Sequence, residues 1–351
     1  MTDWSTHRTY HVDDVVVVKH VRIPMADGAT LSADLYATDE FLGARAAPRP
    51  VVLDYIPYRK DEVAVGGWGG WYYADLARAG YVVARVDIRG TGSSTGVAED
   101  EYSDDELADG CAVIEWLGTR PWCDGHVCMT GISYGGFTSL LLAGRNPPHL
   151  TAIAPMFIGE DRYANGDHYR GGLLGLWFDV GYYGTYLSAF SFLPPDPLEP
   201  DWEERWRERL AANEPYMLRW LRHQVDGPFW RGGSIIDVAG EIRCPTLLIG
   251  GWRDAYPSGP FRVYPRLRGP RRLLVGPWNH AVPDIAIPGP RIDYVREIVA
   301  WFDRWCGRTG EHAGDAAPVT LFMQSWQEPD RRRVRAPDYD PLLVERLKLG
   351  D

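Results

Sequence analysis

The sharpest chemical signal in the sequence is the run Gly131-Ile132-Ser133-Tyr134-Gly135-Gly136. A Gly-x-Ser-x-Gly placed where a strand turns into a helix holds its serine in a strained turn and lifts Oγ above the sheet. The flanking glycines are needed because a Cβ there would strike the strand or the helix. The apolar run Val127–Thr130 before it and the apolar stretch running to Arg145 after it supply that context. A serine hydroxyl is a poor nucleophile near neutral pH. Ser133 therefore needs a base within hydrogen-bond reach, and the base needs a carboxylate to orient it.

On an α/β-hydrolase sheet the chain order is Ser, acid, His, each after a different strand. Asp254 follows the strand-like run Thr246–Ile249, in Gly250-Gly251-Trp252-Arg253-Asp254. His280 follows Arg271–Val275, in Gly276-Pro277-Trp278-Asn279-His280. Both loops lie at C-terminal strand ends, where sites on such sheets gather. The other histidines do not meet this demand. His168 and His223 fall in an inserted segment and are placed only to touch substrate. The tetrahedral oxyanion requires two donors. One is the backbone N–H of Tyr134, directly after the nucleophile. The second should come from Ile56-Pro57-Tyr58-Arg59-Lys60, which has no His-Gly-Gly run to offer an amide. The hydroxyl of Tyr58 is placed for it. Tyr55 competes, although as the last strand residue it reads as packing. The loop Asp87-Ile88-Arg89-Gly90-Thr91-Gly92-Ser93 lacks a following Gly-Lys-Ser and reads as a structural turn, with Arg89 tying loops together.

The elements that must position these groups follow from periodicity. Val15–Tyr36 reads as a β-hairpin around Ala26-Asp27-Gly28. Strands are expected at Val51–Tyr55, Tyr81–Val86, Val127–Thr130, Thr246–Ile249 and Arg271–Val275. Helices are expected at Trp71–Ala79, closed by Gly80, and from the capping box Ser103-Asp104-Asp105-Glu106. Another is expected at Ile292–Cys306, and Cys111 and Cys306 both read as core. Continuous apolar strands alternating with helices indicate a mostly parallel sheet covered on both faces. The fold class is therefore α/β, an α/β-hydrolase with an inserted helical cap. The expected division is a core over 1–156, the aromatic-rich cap over 157–243, the second core part over 244–312 and a tail over 313–351.

Composition excludes several classes. The chain has 351 residues, 45% hydrophobic, with a net charge of −11. Such an acidic chain repels phosphate backbones, so nucleic-acid binding is not expected; the short basic run Arg331–Arg335 reads as a solvated edge. No run approaches the roughly 18 apolar residues of a membrane span, and the start carries no secretory signal pattern. The five cysteines have no disulfide or zinc spacing, which points to free thiols in a reducing, cytoplasmic setting. No metal or cofactor motif is present.

Together these segments resemble the cocaine-esterase/NonD-like hydrolases, relatives of X-Pro dipeptidyl peptidases and α-amino-acid ester hydrolases. The resemblance rests on Tyr55–Lys60, Asp87–Ser93, Gly131–Gly136, Gly250–Asp254, Gly276–His280 and the cap stretch Glu160–Tyr169. It implies Ser133 as nucleophile, His280 as base and Asp254 as its orienter. It also implies Tyr58 and Tyr134 as the oxyanion hole and the insertion as a cap lining the acyl pocket. Members usually carry a C-terminal β jelly roll, of which only a first strand, Val319–Gln324, is recognisable here; an uncovered core face would favour a homo-oligomer. The expected substrate is a small-molecule ester or amide. Glu160, Asp161 and Asp167 could hold a substrate ammonium, with His168 nearby. Acyl transfer by the same triad, an X-Pro dipeptidyl-peptidase-like aminopeptidase and a non-catalytic scaffold are the alternatives.

Overall fold

The computed structural model describes residues 4, 6–43, 46–61, 71–164, 168–286, 289–308, 317–324 and 344–349. Strands β1 (Thr9–Val12), β2 (Val15–Pro24), β3 (Thr30–Thr38), β4 (Arg49–Ile56), β5 (Val82–Asp87), β6 (Cys123–Ile132) and β7 (Leu150–Met156) come first. A two-residue ladder, β8 (Tyr169–Arg170) with β9 (Leu173–Leu174), lies in the insertion. Strands β10 (Thr246–Gly251), β11 (Arg271–Gly276), β12 (Val319–Gln324) and β13 (Val344–Leu349) complete the set. The large sheet runs β1-β2-β3-β5-β4-β6-β7-β10-β11-β12-β13. From β5 to β12 every pairing is parallel, so the turns after β4, β6, β10 and β11 emerge at one edge.

Alternation along the strands sends side chains to two separate cores. On one face, Leu53, Met129 and Leu248 pack with Val113 and Ile114 of the helix Asp104–Gly118 (α2) and Leu140 and Leu142 of the helix Tyr134–Gly144 (α3). Val52, Cys128, Leu247 and Leu274 face Leu76 of the helix Trp71–Arg78 (α1) and Ile298 and Phe302 of the last helix, Tyr294–Trp305. The hairpin forms around Asp27-Gly28, with Asp27 Oδ1 accepting from Ala29 N and Gly28 at φ 90°. Ser103 caps α2 by accepting from Glu106 N. Half of the expected capping box differs. Glu106 does not return to Ser103 N; its carboxyl turns inward to Tyr102 N and the Tyr134 hydroxyl. Cys306 is buried as expected, whereas Cys111 is only partly so.

Between β7 and β10 the chain forms a π-helical turn (Trp177–Tyr182), α4 (Tyr183–Phe192), α5 (Trp202–Ala212), α6 (Tyr216–Arg222) and short helical turns. The tail departs from expectation. Val319–Gln324 joins the core sheet parallel to β11, in register from Leu273 opposite Val319. An exposed β11 edge would leave backbone groups unpaired, and an apolar, β-prone segment closes it. Leu273 N donates to Pro318 O at 2.8 Å, and the Trp252 indole donates to Phe322 O at 3.0 Å. The basic run Arg331–Arg335 lies outside the described residues.

Candidate active site

Ser133 sits at φ 58°, ψ −121°, a left-handed conformation that costs a non-glycine residue free energy and persists only when its surroundings enforce it. The enforcement is steric. A Cβ on Gly135 would stand 2.6 Å from Asp54 Oδ1, and one on Gly136 2.7 Å from Met156 O. Ser133 N donates to Met156 O at 3.0 Å and Phe137 N to Ser133 O at 2.9 Å, pinning the turn to β7 and to the first turn of α3.

His280 and Asp254 meet from two neighbouring loops. His280 Nδ1 and Asp254 Oδ1 are 2.5 Å apart, with the Asp254 side chain fully buried and the imidazole 24% exposed. That hydrogen bond fixes the ring orientation. The other carboxylate oxygen accepts from Tyr256 N at 3.2 Å. The loops are laced together by Trp252 N donating to Gly276 O (2.8 Å) and Arg253 N to Trp278 O (3.1 Å). The approach is so close that a Cβ on Gly251 would lie 2.2 Å from Trp278 O. Phe157 and Tyr256 flank the imidazole at 5.9 and 5.8 Å.

Tyr58 stands beside the elbow, with Tyr134 N 3.4 Å from its hydroxyl. Its loop is held from both sides. Lys60 N donates to Asp87 Oδ1 at 2.6 Å and the Arg85 guanidinium to Lys60 O at 2.9 Å. Arg59, at φ 62°, donates to Leu193 O (3.0 Å) and Pro194 O (2.7 Å) at the end of α4. Tyr55 is fully buried, its hydroxyl on Glu106 O. Arg89 ties three segments, gripping Asp109 with two 2.7 Å bonds and Asp27 with a third.

Outward from Tyr58, a row of rings leads to the surface. Tyr186 lies 6.4 Å from Tyr58, Tyr182 stacks on Tyr186 at 5.9 Å, and Trp177 stacks on Tyr182 at 5.5 Å. Trp177 at the outer end is 73% exposed.

The cap residues expected to touch substrate are differently engaged. Asp161 Oδ1 accepts from Tyr163 N and Ala164 N, the signature of a local turn, and its other oxygen faces Arg231 at 3.6 Å. His168 is 1% exposed, with Nε2 2.7 Å from Glu101 and Nδ1 3.0 Å from Asp179. Although burial opposes the charge, the Glu101 and Asp179 carboxylates raise its pKa to about 9. It is a buried cation rather than a free substrate contact. Glu160 pairs with Arg262 at 3.2 Å. Asp167 lies outside the described residues.

Two buried acids near the elbow carried no signal beyond a helix cap or a strand position. Asp54 on β4 lies beneath Gly131 and Gly135, accepting from Tyr72 and Tyr73, and burial raises its pKa to about 6. Burial raises Glu106 to about 8. A carboxylate inside the otherwise apolar run of β4 was the available clue. His20, Asp61 and Asp196 bring ligand atoms within 4.8 Å of one another. Lys60 Nζ, however, lies 3.0 Å from His20 Nδ1 and 2.9 Å from Asp61, and Lys19 also pairs with Asp61, so cations already answer this cluster.

Strand order, elbow and the Asp254–His280 pair after adjacent parallel strands define an α/β-hydrolase. The chain belongs to the X-Pro dipeptidyl-peptidase (S15) family, whose model matches residues 27–282. Cocaine esterase of Rhodococcus sp. (strain MB1 Bresler) is 30% identical over 288 residues, which cover 76% of this chain and 49% of that protein. The chain thus spans about half the length of this relative. Among solved structures, a CocE/NonD family hydrolase from Staphylococcus aureus superposes with a TM-score of 0.68 at 20% identity, covering 88% of this chain and 54% of its own. An α-amino acid ester hydrolase gives 0.65 at 20% identity, with 88% and 57% covered. At that identity both likenesses speak for the fold. Among the described residues, no helix is long and apolar enough to cross a membrane.

Proposed function

We propose that the protein is a serine hydrolase of small carboxylic esters. Ser133 Oγ attacks the carbonyl carbon as His280 Nε2 takes its proton. Asp254 steadies the imidazolium. The Tyr134 N–H and the Tyr58 hydroxyl donate to the oxyanion. The same proton then goes to the departing alcohol, and water, deprotonated by His280, releases the acid and restores Ser133. The observations that support this reading are the 2.5 Å contact between His280 and a fully buried Asp254 and, in the strand-to-helix turn, a serine held at positive φ. The row of rings from Tyr58 to Trp177 favours an aryl group on the acyl or alcohol side. The 30%-identical relative, a cocaine esterase, favours an ester over an amide. Five free cysteines accord with a reducing, cytoplasmic setting.

The test is fluorophosphonate labelling of the purified chain, read by intact mass beside Ser133→Ala, followed by a panel of aryl esters, alkyl esters and anilides. One adduct, absent from the variant, and faster turnover of aryl esters are expected. Failure of the folded protein to take any adduct would sink the proposal.

A further inference from the structure

Glu106 touches both elements that carry the oxyanion donors. Its backbone carbonyl accepts from the Tyr55 hydroxyl at 3.0 Å, on the strand that leads into Tyr58. Its Oε2 accepts from the Tyr134 hydroxyl at 2.8 Å, on the residue after Ser133. Tyr102 N points between the two, 3.1 Å from Oε2 and 3.2 Å from the Tyr134 hydroxyl. The Tyr134 ring fixed in this way packs on Tyr102 at 4.4 Å and meets Tyr58 edge-on at 6.1 Å. The residue is itself anchored, with Glu106 N on the Ser103 cap, and it is 3% exposed.

We propose that Glu106 is a positioning residue of the oxyanion hole: it holds the Tyr134 phenol, and through it the backbone N–H beside Ser133 and the ring of Tyr58, in the spacing that binds the oxyanion. This rests on the serine-hydrolase reading above and adds a residue to it.

Burial favours the neutral form of the carboxyl. Burial raises its pKa to about 8, against the opposing Tyr134 and Tyr102 hydrogen bonds. The groups facing it are Tyr134 from α3, Tyr55 from β4, Tyr102 and the acids Asp100 and Glu101 from the loop before α2, and Tyr216 from α6. Burial pushes the Tyr55, Tyr134 and Tyr216 phenols above their ordinary range, and Glu101 is held ionised down to about pH 2. None of those four changes charge between neutrality and pH 9. Ionised Glu106 places a negative charge against the tyrosine whose amide must receive another negative charge. Turnover therefore falls as pH rises through about 8.

The experiment measures kcat and KM for p-nitrophenyl butyrate from about pH 6 to about pH 10 on wild type, Glu106→Gln and Tyr134→Phe, with fluorophosphonate labelling of Ser133 alongside. Wild-type kcat is expected to drop about tenfold across the alkaline limb, a fraction of the hundredfold or more that losing a whole oxyanion donor costs. Glu106→Gln keeps an acceptor but cannot ionise, so it should lower kcat about threefold at neutral pH, less than Tyr134→Phe does, and lose the limb. Tyr134→Phe should lower kcat about tenfold with KM changed less than about twofold. An alkaline limb that persists unchanged in Glu106→Gln would assign it to another group, such as His168, and overturn the proposal. So would wild-type kcat in Tyr134→Phe. Absence of labelling in wild type overturns the hydrolase reading and this one with it, whereas labelling with unaltered pH profiles overturns this one alone.

Discussion

The sheet side of the site and its cap side are held by different physics. Ser133 is positioned by excluded volume: glycines at 131, 135 and 136 lie where a Cβ would strike Asp54, Met156 or the elbow's own backbone. The cap is anchored by charge. Arg162, 5% exposed, donates to Glu101 at 2.6 Å and Asp100 at 3.0 Å, and lies over the rings of Phe229 and Trp230. His168 closes the network between Glu101 and Asp179, and the Trp220 indole and Tyr183 hydroxyl donate into it. Excluded volume is indifferent to pH, whereas buried ion pairs are not. The backbone of the elbow should therefore keep its geometry under conditions that loosen the wall around it, even where the ionisation of Glu106 lowers turnover.

The strongest way to sharpen this contrast is Ser133→Ala. The turn is set by its neighbours, so the variant should keep its thermal midpoint while kcat falls by on the order of 10⁴ or more. Differential scanning fluorimetry beside ester hydrolysis separates the two readouts. A collapse in stability would show that Ser133 holds the elbow as well as reacting from it.

Glu101→Gln probes the other side. It removes the shared partner of Arg162, His168 and Tyr183 and leaves two buried cations undercompensated, at a cost of about 3–5 kcal/mol. Urea unfolding should report that loss, and limited proteolysis should cut first within the cap. Uniform unfolding of core and cap together would erase the distinction drawn here. Tyr58→Phe returns to the sheet side with a smaller effect. It should lower kcat about a hundredfold and leave stability unchanged if the hydroxyl is, as proposed, one of two oxyanion donors.

The two sides also differ in how much of them the sequence reveals. The elbow is local: strand, serine, glycines and helix fall within twenty residues, and Asp254 and His280 each follow their strand at short range. The cap network draws on residues from Asp100 to Trp230, and each member read alone resembles a solvated charge or a packed ring. On position alone His168 and Asp161 read as substrate contacts, although the structure engages one in an ion network and the other in a turn. Glu106 was legible only as a helix cap, because the direction of its carboxyl depends on Tyr134, which is distant in sequence. The sheet pairing of Val319–Gln324 is illegible for the same reason: β propensity is local, but the choice of β11 as partner is not.

The smallest effect expected is the pH response of the cap. His168 has an ordinary pKa of 6.5, raised in the fold to about 9 by Glu101 and Asp179. A raised histidine stabilises fully below its unfolded value, and that contribution fades as pH rises toward and through the folded one. Glu101 has the opposite sense. Against the cost of burial, Arg162 and His168 lower it from 4.5 to about 2, so its contribution is complete above 4.5 and lost as pH falls through about 2. Asp179 works against the network, since burial raises its pKa. The ionic anchor is thus at full strength between the two ordinary values and weakens on the alkaline side through His168. Hydrogen exchange in α4 and α6 should quicken between pH 7 and pH 9 beyond the intrinsic rate increase, while exchange in β6 and α3 keeps pace with it. His168→Gln, which cannot titrate, should flatten that difference, and an unchanged difference in the variant would mean that another group loosens the cap.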